Sequence, residues 1–301
     1  MKLKALATKF TTALNPIYGE DEAQALFLIT LNHFLNFNRA DYLFRKEQEI
    51  DPNDLLKLEN TLAELQSGKP IQYILGETAF FGLKFKVNPA VLIPRPETEE
   101  LVEWIIDNAK SWELGVRSLE TITQNSKLKT VLDIGTGSGC IAISIKKNLP
   151  NTVVTALDIS EESLKVAKEN AILNNVEVAF IHQDILAIQN SQPATHNPPQ
   201  YSLIVSNPPY IKEDEKLAMH QNVLANEPHS ALFVSNENPL VFYAAIADFA
   251  LENLETNGLL FFEINEYLGQ QTIELLKHKG FKDIELRKDM QGKDRMVCCH
   301  L

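Results

Sequence analysis

Four consecutive residues, Asn207-Pro208-Pro209-Tyr210, are of the right types for a demanding step, the activation of an amide nitrogen. An amide or aromatic amine is a poor nucleophile because its lone pair is delocalised. A site that accepts both N–H hydrogens, through the Asn207 side-chain carbonyl and the Pro208 backbone carbonyl, favours the pyramidal nitrogen that attacks. Pro208 and Pro209 have no N–H, so they stiffen the backbone and remove competing donors. Tyr210 can pack on a flat amide or base. Ten residues upstream, Asn197-Pro198-Pro199-Gln200 repeats the first three letters, but it precedes the apolar run Tyr201–Ser206 and lacks the aromatic residue. It reads as a loop. Asn207 stands out by position, at the end of a strand where open α/β sheets bind ligands.

A second constellation lies at Val131-Leu132-Asp133-Ile134-Gly135-Thr136-Gly137-Ser138-Gly139, a buried strand running into a G-x-G-x-G turn and then a helix. Glycines let backbone approach a ligand, and a helix N-terminus offers N–H groups to a carboxylate or phosphate. The dinucleotide fingerprint fails at Cys140, the Walker pattern lacks Gly-Lys-Ser/Thr, and Thr136 breaks G-x-S-x-G around Ser138. What remains is a ligand without a pyrophosphate. Asp158 ends the next strand, where a carboxylate can accept from ribose hydroxyls, and Asp184 ends the third, beside Ile185, where an adenine could stack and donate its amino group. Structural glycines explain the turn alone. They do not explain acids at consecutive strand ends, which point to a nucleoside-type ligand.

The elements that must position these residues fall into a helical front and an α/β back. Up to about Gly76 there is no strand signal. Glu20 to Phe37 places Ala23, Leu26, Phe27, Thr30, Phe34 and Leu35 on one helical face, and a further helix begins at Asp51-Pro52 and stops at Gly68. Phe81, Leu83, Phe85 and Val87 alternate with Gly82, Lys84 and Lys86, which predicts a strand, with Val91–Ile93 as its hairpin partner. From Thr130 onward strands and helices alternate, which predicts a doubly wound sheet closed by an antiparallel hairpin at Phe281–Arg287 and Arg295–His300. Two segments interrupt the alternation, Ala187–Gln200 and Ile211–Pro239. The second follows Asn207–Tyr210 directly and suggests a lid.

Composition narrows the classes. Of the 301 residues 45% are hydrophobic and 23% charged, as in globular chains, and no run approaches the ~18 apolar residues of a membrane span. The start Met1-Lys2-Leu3-Lys4 resembles a signal peptide, but Thr8, Lys9, Thr11 and Thr12 break any apolar region. Cys140, Cys298 and Cys299 form neither a disulfide framework nor a metal set, and the seven histidines include no HExxH. The expectation is a cytoplasmic protein without a metal. Net charge is −12, with 9 basic and 11 acidic side chains in residues 1–85 and 19 against 29 in the remainder. That balance repels phosphate backbones and argues against nucleic acid as substrate.

Across nearly its whole length the sequence resembles the HemK/PrmC family, the N5-glutamine methyltransferases of class-I peptide chain release factors. The likeness runs through Pro70–Gly76, Phe81-Gly82, Leu92-Ile93-Pro94-Arg95-Pro96-Glu97-Thr98-Glu99, the glycine turn, Asp158-Ile159-Ser160 and Ser206–Ile211. Later echoes are Glu227-Pro228, Glu263-Ile264, and Asp289 with Gly292 and Arg295. The Ile-Pro-Arg-Pro-Glu-Thr-Glu segment is the most specific, since enzymes acting on a ribosomal protein glutamine typically read Pro-Arg-Ser-Pro there. The chain departs from the family at Asn265, where glycine is usual, and at Asn236-Glu237-Asn238-Pro239.

The resemblance implies a class-I methyltransferase-like sheet in residues 96–301, a β-hairpin linker over 77–95, and a helical bundle over 1–76 that recognises substrate. It implies that S-adenosyl-L-methionine, converted to S-adenosyl-L-homocysteine, is held by Asp133, Gly135, Thr136, Gly137, Ser138, Gly139, Asp158, Asp184, Ile185 and Asn207. Asn207, Pro208, Pro209 and Tyr210 would hold the glutamine, with Asn207, Pro208 and Tyr210 catalytic, and Arg95 and Phe81 nearby. No general base is evident. An activated methyl donor lets alignment and amide polarisation suffice. The expected partner is a class-I release factor as protein substrate, the enzyme itself being a monomer, with no nucleic acid and no membrane. Methylation of a ribosomal protein glutamine, amino-methylation of adenine in nucleic acid, and a non-catalytic binding module remain as alternatives.

Overall fold

The computed structural model describes residues 1–114, 129–188 and 200–301. It divides into two compact units, Met1–Glu77 with Met219–Asn226, and Thr78–Ala218 with Glu227–Leu301.

The first unit is helical, with helices Leu3–Tyr18, Glu20–Leu35, Arg39–Arg45, Pro52–Gln66 and Ile71–Leu75. Asp51 caps the fourth by accepting from Asn53 N at 2.8 Å, with Pro52 opening the helix, as the sequence signals predict. Leu6, Phe10, Leu14, Phe27, Leu31, Leu58 and Leu65 are buried together, and the Phe10 and Phe27 rings lie 5.2 Å apart. The second helix stops at Leu35 rather than Phe37, because Asn36 takes a left-handed conformation that ends it. Leu31 is buried on its inner face and Phe34 only partly so, so the buried stripe is shorter than the expected one. Gln221–Asn226 packs into this unit, where Asn222 donates to the Tyr18 hydroxyl at 3.2 Å and Asn226 to Gly68 O at 3.3 Å.

The second unit opens with a hairpin whose strands are Glu77–Phe80 and Leu83–Lys86. The expected strand through Phe81 and its partner at Val91–Ile93 do not form. Phe81 and Gly82 both have positive φ, 49° and 71°, and make the tight turn. Such a turn suits the twist of paired strands, and a hydrogen bond from Phe81 N to Glu99 Oε1 at 2.6 Å braces the unusual phenylalanine conformation. Val91 and Ile93 are buried but belong to no strand.

Seven strands build the main sheet: β1 (Thr130–Ile134), β2 (Val153–Asp158), β3 (Ala179–His182), β4 (Tyr201–Ser206), β5 (Leu254–Glu263), β6 (Lys282–Lys288) and β7 (Asp294–His300). Their order is 3-2-1-4-5-7-6, parallel throughout except β7, which runs antiparallel to both neighbours. This is the doubly wound sheet with an antiparallel terminal hairpin that the alternation predicts. All six residues of β4 are buried, as a strand covered on both faces requires. One core layer includes Trp104, Ile143, Val205 and Phe261, and the other Ile204, Tyr243, Ile246 and Phe262. Chain order reverses between β1 and β4, so the sheet has its topological switch point there. The Ile211–Pro239 stretch contains a short parallel pair, Ile211–Lys212 with Phe233–Val234, and a 3-10 helix at Glu213–Ala218. Among the described residues no helix is long and apolar enough to cross a membrane.

Candidate active site

Register brings the sequence-predicted residues to one edge. Ile134 is aligned with Leu157 on β2 and with Ser206 on β4, and Ser206 with Phe262 on β5. The next residues along, Gly135, Asp158, Asn207 and Glu263, therefore sit side by side at the carboxyl ends of four adjacent strands. A hydrogen bond from Ser206 Oγ to Ile134 O at 2.7 Å fixes β4 to β1 beneath them. A cavity of about 490 Å³ opens there. Gly135–Ser138, Asp158, Asp184 and Ile185 form one part of its wall, and Asn207, Pro208, Pro209 and Arg95 another.

The glycine turn holds itself. Gly135 N and Thr136 N donate to Leu157 O at 2.9 and 3.0 Å, Gly137 N to Asp158 Oδ2 at 2.8 Å, and Gly139 N to Thr136 O at 2.9 Å. These four N–H groups are thus satisfied within the protein, and what Gly135 and Gly137 present to the cavity is space. A methyl group added at Gly135 or Gly137 would meet nothing within 4 Å, whereas at Gly139 it would lie 2.9 Å from Ile143 Cδ1 and 3.2 Å from Ala167 Cβ. Gly139 serves packing and Gly137 the cavity. Gly139→Ala is therefore expected to lose roughly 1–3 kcal/mol of stability, for its left-handed φ of 82° and the collision together. Gly137→Ala should cost stability less and ligand affinity more. Urea denaturation of both variants, with equal losses, would contradict this division.

Asp133 lies fully buried under the turn rather than in the cavity wall. Its Oδ2 accepts from Thr136 Oγ1 at 2.6 Å and Ala142 N at 3.2 Å, while Oδ1 has no protein partner. Burial pushes its carboxyl up to about 7. Asp158 is also raised by burial, opposed by the Ser160 and Gly137 N–H groups that its two oxygens accept, each at 2.8 Å. Asp184 stands two residues beyond the end of β3 and accepts from Leu186 N at 2.8 Å. The Cys140 thiol in the cavity wall is pushed up to about 12 by burial, so it stays protonated and is no nucleophile.

Asn207 sits at the end of a buried polar chain. Its Nδ2 donates to Thr98 Oγ1 at 3.2 Å, Thr98 donates to Glu263 Oε2 at 2.6 Å, and the Tyr210 hydroxyl donates to Glu263 Oε1 at 3.0 Å. Burial raises the Glu263 carboxyl, and the two hydroxyls and the nearby Arg295 charge oppose that rise. Tyr210 is thereby an anchor of the loop, packed against the core and outside the cavity wall. Arg95 reaches the cavity but is paired with the buried Glu227 at 2.5 Å, and Phe81 packs against the core beside Phe80. Asn265 donates to Tyr210 O at 3.0 Å and to Glu215 Oε1 at 3.1 Å. Sequence reasoning left Thr98, Glu263, Glu227 and Asn265 without roles. An acid ending β5 beside the Asn207 strand was the available signal. Asn197, Pro198 and Pro199 lie outside the described residues. Among the described residues no group of three His, Cys, Asp or Glu could hold a metal.

Comparison with known proteins places this chain in a family. The family model described as PrmC N-terminal domain matches residues 6–76, and that described as Methyltransferase small domain matches residues 112–233. A release factor glutamine methyltransferase of Flavobacterium psychrophilum is 47% identical over 297 residues, covering 99% of this chain and 98% of that one. One of Bacteroides thetaiotaomicron is 41% identical, covering 95% of each. In fold, the chain is similar to the hMettl16 catalytic domain solved in complex with the MAT2A 3'UTR hairpin 1, with a TM-score of 0.54 at 14% identity, covering 92% of this chain and 90% of that one. With identity of this extent along nearly its whole length, the chain belongs to the family of release factor glutamine methyltransferases.

Proposed function

We propose that the enzyme transfers a methyl group from S-adenosyl-L-methionine to the side-chain amide nitrogen (N5) of a glutamine in class-I peptide chain release factors. One observation carries this reading: the glycine turn and the Asn-Pro-Pro loop open onto the same cavity from adjacent strand ends. The residues fit the cofactor. Gly135 and Gly137 leave the space that a side chain would fill, Asp158 sits at the strand end for the ribose, and Ile185 beside Asp184 offers an apolar surface for the adenine. Thr136, Ser138 and Gly139 complete the turn, and Asp133 supports it from beneath. Acid groups along this wall also suit a ligand that carries positive charge. When bound, S-adenosyl-L-methionine supplies a methyl group already activated on a sulfonium and leaves as S-adenosyl-L-homocysteine.

The chain's own work is to bind and orient the amide. Asn207 Oδ1 and the Pro208 carbonyl accept the two N–H hydrogens of the glutamine, which favours the pyramidal nitrogen. Pro208 and Pro209 add no donor that would compete, and Tyr210 ties the loop to Glu263. One N–H proton leaves the methylated nitrogen for solvent or a carbonyl. In this reading the protein is a cytoplasmic monomer without nucleic-acid or membrane partners, and the helical unit recognises the protein substrate. Incubation with radiolabelled S-adenosyl-L-methionine in a cell extract should place the label in protein. Label in nucleic acid would instead favour adenine amino-methylation, and no transfer to either would favour a binding module.

A further inference from the structure

Asn207 can accept from a substrate amide only if its own carbonyl oxygen, not its NH2, is presented to it. The two ends of an asparagine amide have nearly the same shape, so something must choose between them. Glu263 is 1% exposed at the end of β5, and both of its oxygens receive a hydroxyl proton, from Tyr210 and from Thr98. The two hydroxyls and the nearby Arg295 charge favour its carboxylate form against the burial that raises it, and a carboxylate has no proton to return. The Thr98 proton is thereby committed to Glu263 at 2.6 Å, and only a lone pair of Thr98 Oγ1 is left for Asn207. Asn207 must answer with Nδ2, which lies 3.2 Å away. That leaves Oδ1 as the end available to a ligand in the cavity that Asn207 lines. Thr98 is 2% exposed, so solvent has little access to substitute for its hydroxyl.

We propose that Thr98 and Glu263 are positioning residues that lock the Asn207 amide with its oxygen toward the substrate, so that the site selects side chains offering an N–H. A substrate carboxylate would set acceptor against acceptor. The proposal rests on the reading of Asn207 as the group that holds the target amide. Glu263 and Thr98 touch neither substrate nor cofactor in this scheme, and they act through Asn207.

The test is steady-state kinetics on a purified class-I release factor, beside calorimetry of S-adenosyl-L-methionine binding. Thr98→Val keeps the shape and deletes the hydroxyl. It should lower kcat roughly ten- to hundredfold, the scale of a misplaced reacting group, with cofactor affinity unchanged. Thr98→Ser restores the hydroxyl and should recover most of that loss. Thr98→Ala removes the hydroxyl without bulk and serves the same comparison if the valine variant does not fold. A hydroxyl-free variant with parental kcat, or a serine variant as impaired as it, overturns the proposal. Asn207→Ala is measured alongside. If it is inactive while the hydroxyl-free variant is not, only the positioning role falls; if it keeps full activity, the reading of Asn207 itself falls.

Discussion

Asn207→Ala is expected to lower the methyl-transfer rate constant by about 10²–10³-fold or more while leaving affinity for S-adenosyl-L-methionine unchanged. The lost interaction is one that strengthens as the amide lone pair localises, so its removal falls on the rate constant rather than on ground-state binding. The fold should tolerate the change, because Asn207 gives up a single 3.2 Å hydrogen bond to Thr98 and the loop keeps its Tyr210–Glu263 anchor. Asn207→Asp is the sharper probe. It keeps an acceptor for the substrate but adds charge and offers no N–H to Thr98, so partial activity would support the acceptor role. The upstream control, Asn197→Ala, should be close to silent. Single-turnover rates on the three variants decide it: an active Asn207→Ala beside an inactive Asn197→Ala would put the chemistry on the wrong loop.

Asp158→Ala should weaken S-adenosyl-L-methionine binding roughly 30- to 150-fold, on the order of 2–3 kcal/mol for the loss of a charge-assisted hydrogen-bond pair. The structure adds a second contribution of the same sign. Asp158 Oδ2 also accepts from Gly137 N at 2.8 Å, so its removal loosens the turn that shapes the cavity. Asp158→Asn is the intermediate case, since it removes the charge but keeps one oxygen, which can hold Gly137 N only by turning the amide NH2 toward Ser160 N. It should bind more tightly than the alanine variant and less tightly than the parent. Calorimetry showing parental affinity in a folded Asp158→Ala would remove the nucleotide-site assignment.

How much of this was legible in the sequence depends on how local each feature is. Asp133 to Gly139, Asp158 and Asn207 to Tyr210 each lie at the end of an apolar run, and alternation of strand and helix was enough to put those ends on one edge. The hairpin shows where pattern reading fails. Alternation through Phe81 and Gly82 looks like a strand, but a glycine also permits the left-handed turn, and the pairing across it decides the outcome. The polar chain behind Asn207 was out of reach for a different reason. Thr98 and Glu263 stand 165 positions apart and meet only because the helix Pro96–Leu114 packs beside β5, a contact no period encodes. The pairing of Arg95 with Glu227, 132 positions on, was out of reach for the same reason. The acceptors of the glycine-turn N–H groups were equally out of reach, since Leu157 and Asp158 come from the neighbouring strand.

The most direct measurement is fragmentation mass spectrometry of a purified class-I release factor after incubation with this enzyme and S-adenosyl-L-methionine. The predicted result is one added methyl group, on the side-chain amide nitrogen of a single glutamine, absent when Asn207→Ala replaces the parent enzyme. An unmodified release factor with an active enzyme that methylates a ribosomal protein or nucleic acid instead would contradict it.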